Sequence, residues 1–378
     1  VELTNPNTFT TGSFWQTGDD AIAAVNACYQ TLHYDGLYMR LYPWVMDLRA
    51  DDMRNTSPWW VTAVSQYVVT PDNPCYFTTW QQCYYGIYRT NQVFKYVPDI
   101  EMDEDLKTRL LAEAKFLRGL FYYHLTIFYR NVPLIVALPE SPDEYYPAKS
   151  PAEDIWQQVI TDLSDALAGL PKKNEYPASD LGRATSGAAA GFLAKSYMFT
   201  KQWSLAEPLL KNITDGVYGT YDLVENYRDN FTEANENNIE SLFEVQFERS
   251  VGGTELGWVG DPQPNWSKTS GKARTYAPLG FGWGDITPTD WIFEEFQLEQ
   301  TIDGKNDPRM EASMFFEHPE DPGYRVYTRT WQEAALTNQV YVRKYLNDDT
   351  EIDETEWRSG INERILRFAD ILLLYGEC

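Results

Sequence analysis

The stretch from Asp103 to Phe128 constrains the fold of this chain most, because it is apolar on nearly every side of a helix. Acidic residues follow Asp103, where the helix dipole favours negative charge. One face is formed by Leu106, Leu110, Leu117, Phe121, Leu125 and Phe128, and a second face by Phe116, Leu120, Tyr123 and Ile127. Such a helix needs neighbours all around it. The sequence therefore predicts a central, buried helix that ends before Pro133.

Several amphipathic helices are predicted on either side of this stretch. Thr17 with Asp20 predicts one helix start, and residues 80–97 show a second helical pattern. Capping boxes at Ser150–Glu153 and Ser204–Glu207 predict two more starts, with another helix from Thr185 to Thr200 between them. A last helix is predicted from Ile361 to Cys378, where the chain stops without a capping signal.

The helices predicted near residue 200 resemble a tetratricopeptide helix pair. Ala194, Tyr197 and Ala206 have the small and aromatic spacing that lets two helices approach closely, and Trp203 lies at the turn. The predicted fold class is mainly α: a tetratricopeptide-like helical-repeat scaffold with long loop-rich insertions and a few short strands.

Between residues 216 and 345 the sequence changes from helical patterns to strand-like and loop-like patterns. Residues 241–247 and 341–345 alternate like strands, and residues 252–291 carry eight glycines and four tryptophans. Long loops within a compact protein are usually functional or disordered, and so many aromatic residues argue against disorder. We therefore expect a single unit over 1–378, with a helical scaffold at about 17–215 and 286–378 and a loop-rich binding region at about 216–345.

Charge and hydropathy exclude several kinds of partner. The chain has 378 residues with 31 Lys and Arg against 56 Asp and Glu, a net charge of −25. Such a protein is repelled by nucleic acids and by anionic lipid surfaces. No apolar run is long enough to cross a bilayer. Because the chain begins at Val1, we expect any signal peptide or lipid anchor to lie upstream of it.

Recognisable catalytic or metal-binding motifs are missing from the sequence. The three histidines lack zinc-site spacing, and the acidic residues of 348–356 lack the glycine and spacing of an EF-hand, so we expect a solvated loop and no metal or other cofactor. Cys75 and Cys83, eight positions apart, are expected to be free thiols rather than a bridge. Among 56 carboxylates no spacing singles out an acid/base pair for glycoside hydrolysis.

Aromatic residues are the remaining functional signal, at 15% of the chain. The flat face of Trp or Tyr suits the C–H face of a sugar ring, while nearby polar groups reach the hydroxyls. Trp59 and Trp60 follow a Ser-Pro turn and cannot both pack easily into one core face. Most tryptophans in any fold are packing residues, so the alternative for each of these indoles is a structural role in packing.

Three segments of the sequence resemble the SusD/RagB family of outer-membrane nutrient-binding lipoproteins of Bacteroidota. They are residues 112–123, AEAKFLRGLFYY, which continue to the Asn-Val-Pro-Leu of 131–134; residues 366–377, LRFADILLLYGE; and the Asp-Pro-Arg of 307–309. Residues 14–29 resemble the N-terminal helix of the family. The order of these segments along the chain is that of the family.

The resemblance implies a tetratricopeptide-like scaffold whose loops bind a glycan at the cell surface of the outer membrane, next to a SusC-like TonB-dependent transporter, without catalysis. Family members normally continue past the 366–377 segment, so the C-terminal part of the family fold is expected to be missing here. The expected ligand-binding residues are Asp52, Arg54, Asn55, Trp59, Trp60, Trp258, Trp266, Tyr276 and Trp283. A peptide-binding protein on the same scaffold is the main alternative, and a glycoside hydrolase is less favoured.

Overall fold

The computed structural model describes residues 11–250, 269–349 apart from 322, 335, 337 and 338, and 358–378. The predicted Trp258 and Trp266 contacts lie outside these residues. The chain divides into two compact units. Unit 1 comprises Val1–Thr31, Cys83–Thr220 and Asp370–Cys378, and unit 2 comprises Leu32–Gln82 and Tyr221–Ala369. The single unit and the boundaries expected from the sequence stay predictions.

The described part of the chain is mainly helical, which confirms the predicted fold class. Its α-helices are α1 (Thr11–Phe14), α2 (Gly18–Thr31), α3 (Leu41–Leu48), α4 (Val61–Ser65), α5 (Pro74–Tyr96), α6 (Glu104–Tyr129), α7 (Ala152–Gly169), α8 (Ser186–Phe199), α9 (Trp203–Thr214), α10 (Lys272–Tyr276), α11 (Asp290–Leu298), α12 (Pro308–Ser313) and α13 (Phe368–Glu377). A π-helical turn, Asp35–Met39, precedes α3, and short 3-10 turns lie at Val97–Asp99, Pro142–Tyr145, Lys173–Glu175, Ala178–Asp180, Tyr227–Phe231 and Glu233–Asn235.

In the part of the chain that the structure describes, short strands form three antiparallel pairs, all within unit 2. They are β1 (Met53–Asn55) with β3 (Ile286–Pro288), β2 (Ser241–Val245) with β6 (Glu363–Arg367), and β4 (Met314–Phe315) with β5 (Tyr341–Val342). The two strands predicted from alternation are confirmed as β2 and β5, although both are shorter than the predicted 241–247 and 341–345.

Unit 1 is built around α6, as its apolar circumference predicts. Asp103 caps this helix by accepting a hydrogen bond of 2.8 Å from the Leu106 amide. Helix α6 contacts α2 and α7, and α7, α8 and α9 follow one another in contact. Gly86 of α5 lies against α6 so closely that a Cβ there would come within 2.3 Å of the Phe121 ring. Glycine at position 86 is therefore what lets these helices pack.

Three helix-start and helix-extent predictions need correction. The predicted capping boxes at Ser150 and Ser204 are wrong: α7 follows Pro151 and α9 follows Gln202, neither with a side-chain cap from its own N-cap residue. The predicted helix over 361–378 is also wrong in its first part, because Glu363–Arg367 is β6. The segment reads Glu-Arg-Ile-Leu-Arg, and pairing with β2 satisfies its backbone groups.

Unit 2 has a core of its own, made mostly of aromatic and methionine side chains. Its buried members include Phe281, Met310, Met314, Phe315, Tyr324, Tyr327, Trp331 and Tyr341. Most of them come from the loop-rich 216–345 region. Many of the aromatic residues of this region are therefore packing residues. Among the described residues, no helix combines the length and the apolar character that a bilayer span requires.

Candidate functional site

The β1–β3 pair brings two loops of unit 2 side by side. Asn55 pairs with Ile286 at one end of this antiparallel ladder. The chain that leaves β1 therefore runs next to the chain that enters β3. Thr56 links them by donating its amide to the Asp285 carbonyl at 2.8 Å and its hydroxyl to the Gly284 carbonyl. Residues 57–60 and 279–285 thus become two facing walls.

A cavity of about 560 Å³ lies between these walls, within the size range of small-ligand sites. It is lined by Arg40, Trp44, Ser57, Trp59, Trp60, Val61, Leu279, Gly282, Trp283 and Asp285. We call it the aromatic cavity. The structure thus brings together three of the predicted tryptophans, Trp59, Trp60 and Trp283.

The first wall is held in shape by hydrogen bonds from Asn55. Its side-chain amide donates to the Ser57 carbonyl at 2.7 Å and to the Thr62 hydroxyl at 3.0 Å, and its oxygen accepts from the Ser57 amide at 3.1 Å. These bonds fix the turn before Trp59, whose side chain is 60% exposed. The predicted residue Asn55 therefore shapes the loop and is not among the residues that line the cavity.

Trp60 stacks on a tryptophan that the sequence analysis missed. The Trp60 and Trp44 rings are 6.0 Å apart with an interplanar angle of 26°. Trp44 is buried, and its indole Nε1–H has no hydrogen-bond partner among the described residues. Buried Trp N–H groups usually have a partner, so Trp44, which lines the cavity, carries an unsatisfied donor.

The second wall depends on a close backbone approach at Gly282. A Cβ at this position would come within 2.4 Å of the Arg274 carbonyl and 2.7 Å of the Ala277 side chain. Next to it, Trp283 donates its amide to the same Arg274 carbonyl at 2.8 Å. The Arg274 guanidinium lies 5.2 Å from the Trp283 ring centroid, a cation–π contact that orients the indole.

The polar groups at the cavity are held rigidly. Arg40 donates two hydrogen bonds of 2.6 Å to the Asp35 carboxylate, and both side chains are buried. Burial raises the pKa of Asp285, while a hydrogen bond from Ser57 acts in the opposite direction. The cavity therefore offers aromatic surface, the Arg40–Asp35 ion pair with no net charge, and the Asp285 carboxyl group, whose pKa is raised by burial.

The remaining predicted residues lie elsewhere in unit 2. Arg54 forms an ion pair with Asp290 at 3.1 Å. Asp52 accepts a backbone hydrogen bond of 2.9 Å from Thr289, and its Oδ1 is buried without a hydrogen-bond partner among the described residues. Tyr276 is fully buried and donates to the Asp47 carboxylate. Its ring is thus inaccessible for stacking on a ligand, contrary to the sequence-based expectation, because α10 turns it into the interior.

The acidic stretch after residue 347 begins as part of a buried ion-pair network. Asp348 accepts hydrogen bonds from Arg228 at 3.0 Å and from Arg343 at 3.1 Å. Residues 350–357 lie outside the described residues. Cys75 and Cys83 are buried free thiols, as expected.

The protein is mainly helical and has an aromatic-lined cavity in unit 2. Comparison with known proteins identifies its family. A family model described as "Starch-binding associating with outer membrane" matches residues 14–198, and one described as "SusD family" matches residues 239–378. The chain belongs to the SusD/RagB family, which confirms the resemblance seen in the sequence.

Individual relatives agree with this assignment. A SusD-like protein from Bacteroides ovatus is 26% identical over 387 aligned positions, which cover 96% of this chain but only 65% of that protein. A SusD superfamily protein from Bacteroides vulgatus superposes with a TM-score of 0.81 at 28% identity, covering 96% of this chain and 76% of that one. Surface glycan-binding protein A from Bacteroides thetaiotaomicron, solved with laminarihexaose, superposes with a TM-score of 0.75 at 21% identity, covering 96% and 78%.

Proposed function

We propose that this protein binds a glycan in the aromatic cavity and passes it, unmodified, to a SusC-like TonB-dependent transporter in the outer membrane. The observation that carries the proposal is the pair of exposed indoles, Trp59 and Trp283, on opposite walls of one cavity. Sugar rings stack on such surfaces through their C–H faces. The relative solved with laminarihexaose supports carbohydrate as the ligand class.

The polar groups of the aromatic cavity complement the indoles. We propose that the unpartnered Nε1–H of Trp44 donates to a sugar oxygen when the ligand binds, and that Asp285 and Ser57 exchange hydrogen bonds with sugar hydroxyls. Trp258 and Trp266 remain proposed additional contacts, as the sequence predicts.

The lining also supports binding without hydrolysis. Among the described residues that line the cavity, Asp285 is the one carboxylate. Retaining and inverting glycosidases both need two carboxyl groups on either side of the scissile bond. A lipid anchor upstream of Val1 and attachment to the cell surface belong to the same proposal, and they rest on the family alone.

The test is calorimetric titration of the chain with laminarihexaose, other neutral hexasaccharides and a peptide digest. We expect saturable binding to a glycan whose length is unchanged after incubation. Trp59→Ala and Trp283→Ala should each weaken binding about 30-fold, since truncating an interface tryptophan costs about 2 kcal/mol. Trp291, which is 53% exposed but outside the cavity, provides the matched control Trp291→Ala.

The results that count against the proposal are specific. Unchanged glycan affinity in both cavity variants would remove the glycan from this cavity. Binding to peptides alone would make the protein a peptide carrier, and shortening of the glycan would make it a hydrolase.

A further inference from the structure

A second cavity, of about 620 Å³, lies in unit 1 where four helices end. It is bounded by the C-terminal ends of α6 and α8 and by the N-terminal ends of α7 and α9. All of its lining residues belong to unit 1, and none lines the aromatic cavity. We call it the helix-end cavity.

An aromatic pair forms one side of the helix-end cavity. The rings of Trp156 and Phe199 stack at 5.3 Å with an interplanar angle of 15°, and Tyr123 meets the edges of both. Phe199 is nevertheless 54% exposed. The pair is therefore a rigid, backed surface with one accessible side, which is what a sugar ring needs for stacking.

The cavity is rich in unused hydrogen-bond donors. The exposed side chains of Arg130, Gln157 and Lys201 line it, and none of these three side chains makes a hydrogen bond or ion pair within the described ranges. Glu153 is the one carboxylate among the described lining residues. Two unpaired cations against one carboxylate make this cavity locally positive on a protein of net charge −25. Such a donor set matches ligand oxygens that carry negative charge.

Both cations occupy backbone positions that disfavour any side chain. Arg130 has φ 62° and ψ −78°, and the Asn131 amide donates to the Tyr129 carbonyl at 2.8 Å, which makes Arg130 the centre of a strained γ-turn. Lys201 has φ 61° after α8, with hydrogen bonds from Lys201 to Met198 at 2.9 Å and from Gln202 to Tyr197 at 2.7 Å. This Schellman motif normally has glycine at the Lys201 position. Backbone strain of this kind clusters at functional sites.

We propose that the helix-end cavity is a second ligand site, which binds a saccharide bearing an anionic group, with the sugar ring on Phe199 and the carboxylate or sulfate between Arg130 and Lys201. The proposal stands on a different cavity from the proposed glycan site and does not need that site to function.

The experiment is calorimetry of the chain with three probes: hexagalacturonate, a sulfated carrageenan hexasaccharide and neutral laminarihexaose. We expect an anionic probe to bind, with the carboxylated or the sulfated probe identifying the anionic group. Arg130→Gln/Lys201→Gln should weaken this binding at least about tenfold, because hydrogen bonds to charged groups are the strong ones. Phe199→Ala should weaken it as well.

Two further variants separate local from general effects. Lys149→Gln/Lys305→Gln removes the same charge from exposed positions outside the cavity and should leave the affinity unchanged. Arg130→Gly/Lys201→Gly should raise the melting temperature, since glycine relieves the positive-φ strain, and still lose the anionic ligand. A loss of binding together with a gain in stability cannot come from unfolding.

Four results would overturn the proposal. The first is that neither anionic probe binds, and the second is that Lys149→Gln/Lys305→Gln weakens binding as much as Arg130→Gln/Lys201→Gln. The third is that laminarihexaose binds as tightly as the anionic probe and loses its affinity in the Arg130/Lys201 variants. The fourth is that Trp59→Ala abolishes binding of the anionic probe. Failure of the glycan function proposed above has a different signature: neutral glycans would not respond to Trp59→Ala, while the anionic probe would still depend on Arg130 and Lys201.

Discussion

Arg118 and Asp162 form a two-pronged ion pair in the interior of unit 1, with both hydrogen bonds at 2.8 Å. Both side chains are buried, and Arg118 also donates to the Asn91 side chain at 2.9 Å and to the Val136 carbonyl at 3.1 Å. One side chain thus ties α5, α6, α7 and the 131–137 segment together. The arginine belongs to the family-like segment at 112–123.

Removing the carboxylate from this pair should be costly. Asp162→Ala leaves the Arg118 charge buried without its partner, and we expect a loss of about 3–5 kcal/mol in the free energy of unfolding. Urea denaturation measures it. The matched control is Asp215→Ala, which removes the carboxylate of the exposed Lys211–Asp215 pair and should cost under about 1 kcal/mol. Equal losses would show that the buried pair contributes nothing special.

The start of α7 offers a second test, because its cap comes from another segment. The Ala152 amide donates to the Asn131 side-chain oxygen at 3.0 Å. Asn131→Ala should therefore lower the free energy of unfolding by about 1 kcal/mol. Ser150→Ala, which removes the residue that the sequence pattern favours as the cap, should have almost no effect. The reverse order of the two losses in urea denaturation would restore the sequence-based capping box.

Tyr276 separates a structural role from a binding role. Tyr276→Phe keeps the buried ring but removes the hydroxyl that donates to Asp47. We expect the free energy of unfolding to fall by about 1–3 kcal/mol, since a half-buried carboxyl loses a donor. Glycan affinity, measured by calorimetry on the folded variant, should stay unchanged. A selective loss of affinity at unchanged stability would return Tyr276 to the ligand site.

The unpartnered donor of Trp44 gives a prediction about the aromatic cavity. Trp44→Phe retains an aromatic ring against Trp60 but removes the Nε1–H. If a sugar oxygen accepts this bond, affinity for the glycan should fall about 3- to 10-fold. Trp331→Phe, at a buried tryptophan in the core of the same unit, is the control and should leave affinity unaltered. Equal affinity of Trp44→Phe and wild type would mean that the donor does not contact the ligand.

Glu236 should make unit 2 sensitive to alkaline pH. Burial raises its pKa from 4.5 to about 8, against the opposing effects of the Asn362 amide and Arg364. The folded state therefore holds a proton that the unfolded state releases, so stability falls as pH rises from 4.5 through about 8. Glu236→Gln cannot ionise and should be more stable than wild type above pH 8, by an amount on the order of 3 kcal/mol, and similar to it below 4.5.

Stability curves from urea unfolding across this pH range test the Glu236 prediction. The exposed Glu225→Gln is the control and should run parallel to wild type throughout. Parallel curves for Glu236→Gln and wild type would contradict the proposal that Glu236 keeps its proton in the folded state.

Local sequence signals predicted the central helix α6 well. The Asp103 cap and the apolar faces after it act within a few turns, and both appear in the structure as the pattern predicts. Local signals did not predict the strand at 363–367. Its helical or extended state depends on pairing with Ser241–Val245, more than a hundred positions away, which no local pattern contains.

The candidate site was predicted in part, for the same reason. Trp59, Trp60 and Trp283 follow from adjacent indoles and glycine-rich turns, but the exposure of an aromatic side chain is decided by distant neighbours, and Tyr276 turned out to be interior. Arg40 and Trp44 belong to an apolar segment that is typical of a core helix. Only the tertiary structure shows that its edge forms a cavity wall.

The β1–β3 pair also determines when the aromatic cavity can form during synthesis of the chain. Arg54 and Thr287, which pair across it, are 233 positions apart. At ordinary rates of translation the second strand leaves the ribosome roughly 10–50 s after the first. Trp59 and Trp60 spend this interval without their opposite wall, as apolar surface that a chaperone can bind. Any chain that ends before Leu279 lacks the second wall of the aromatic cavity.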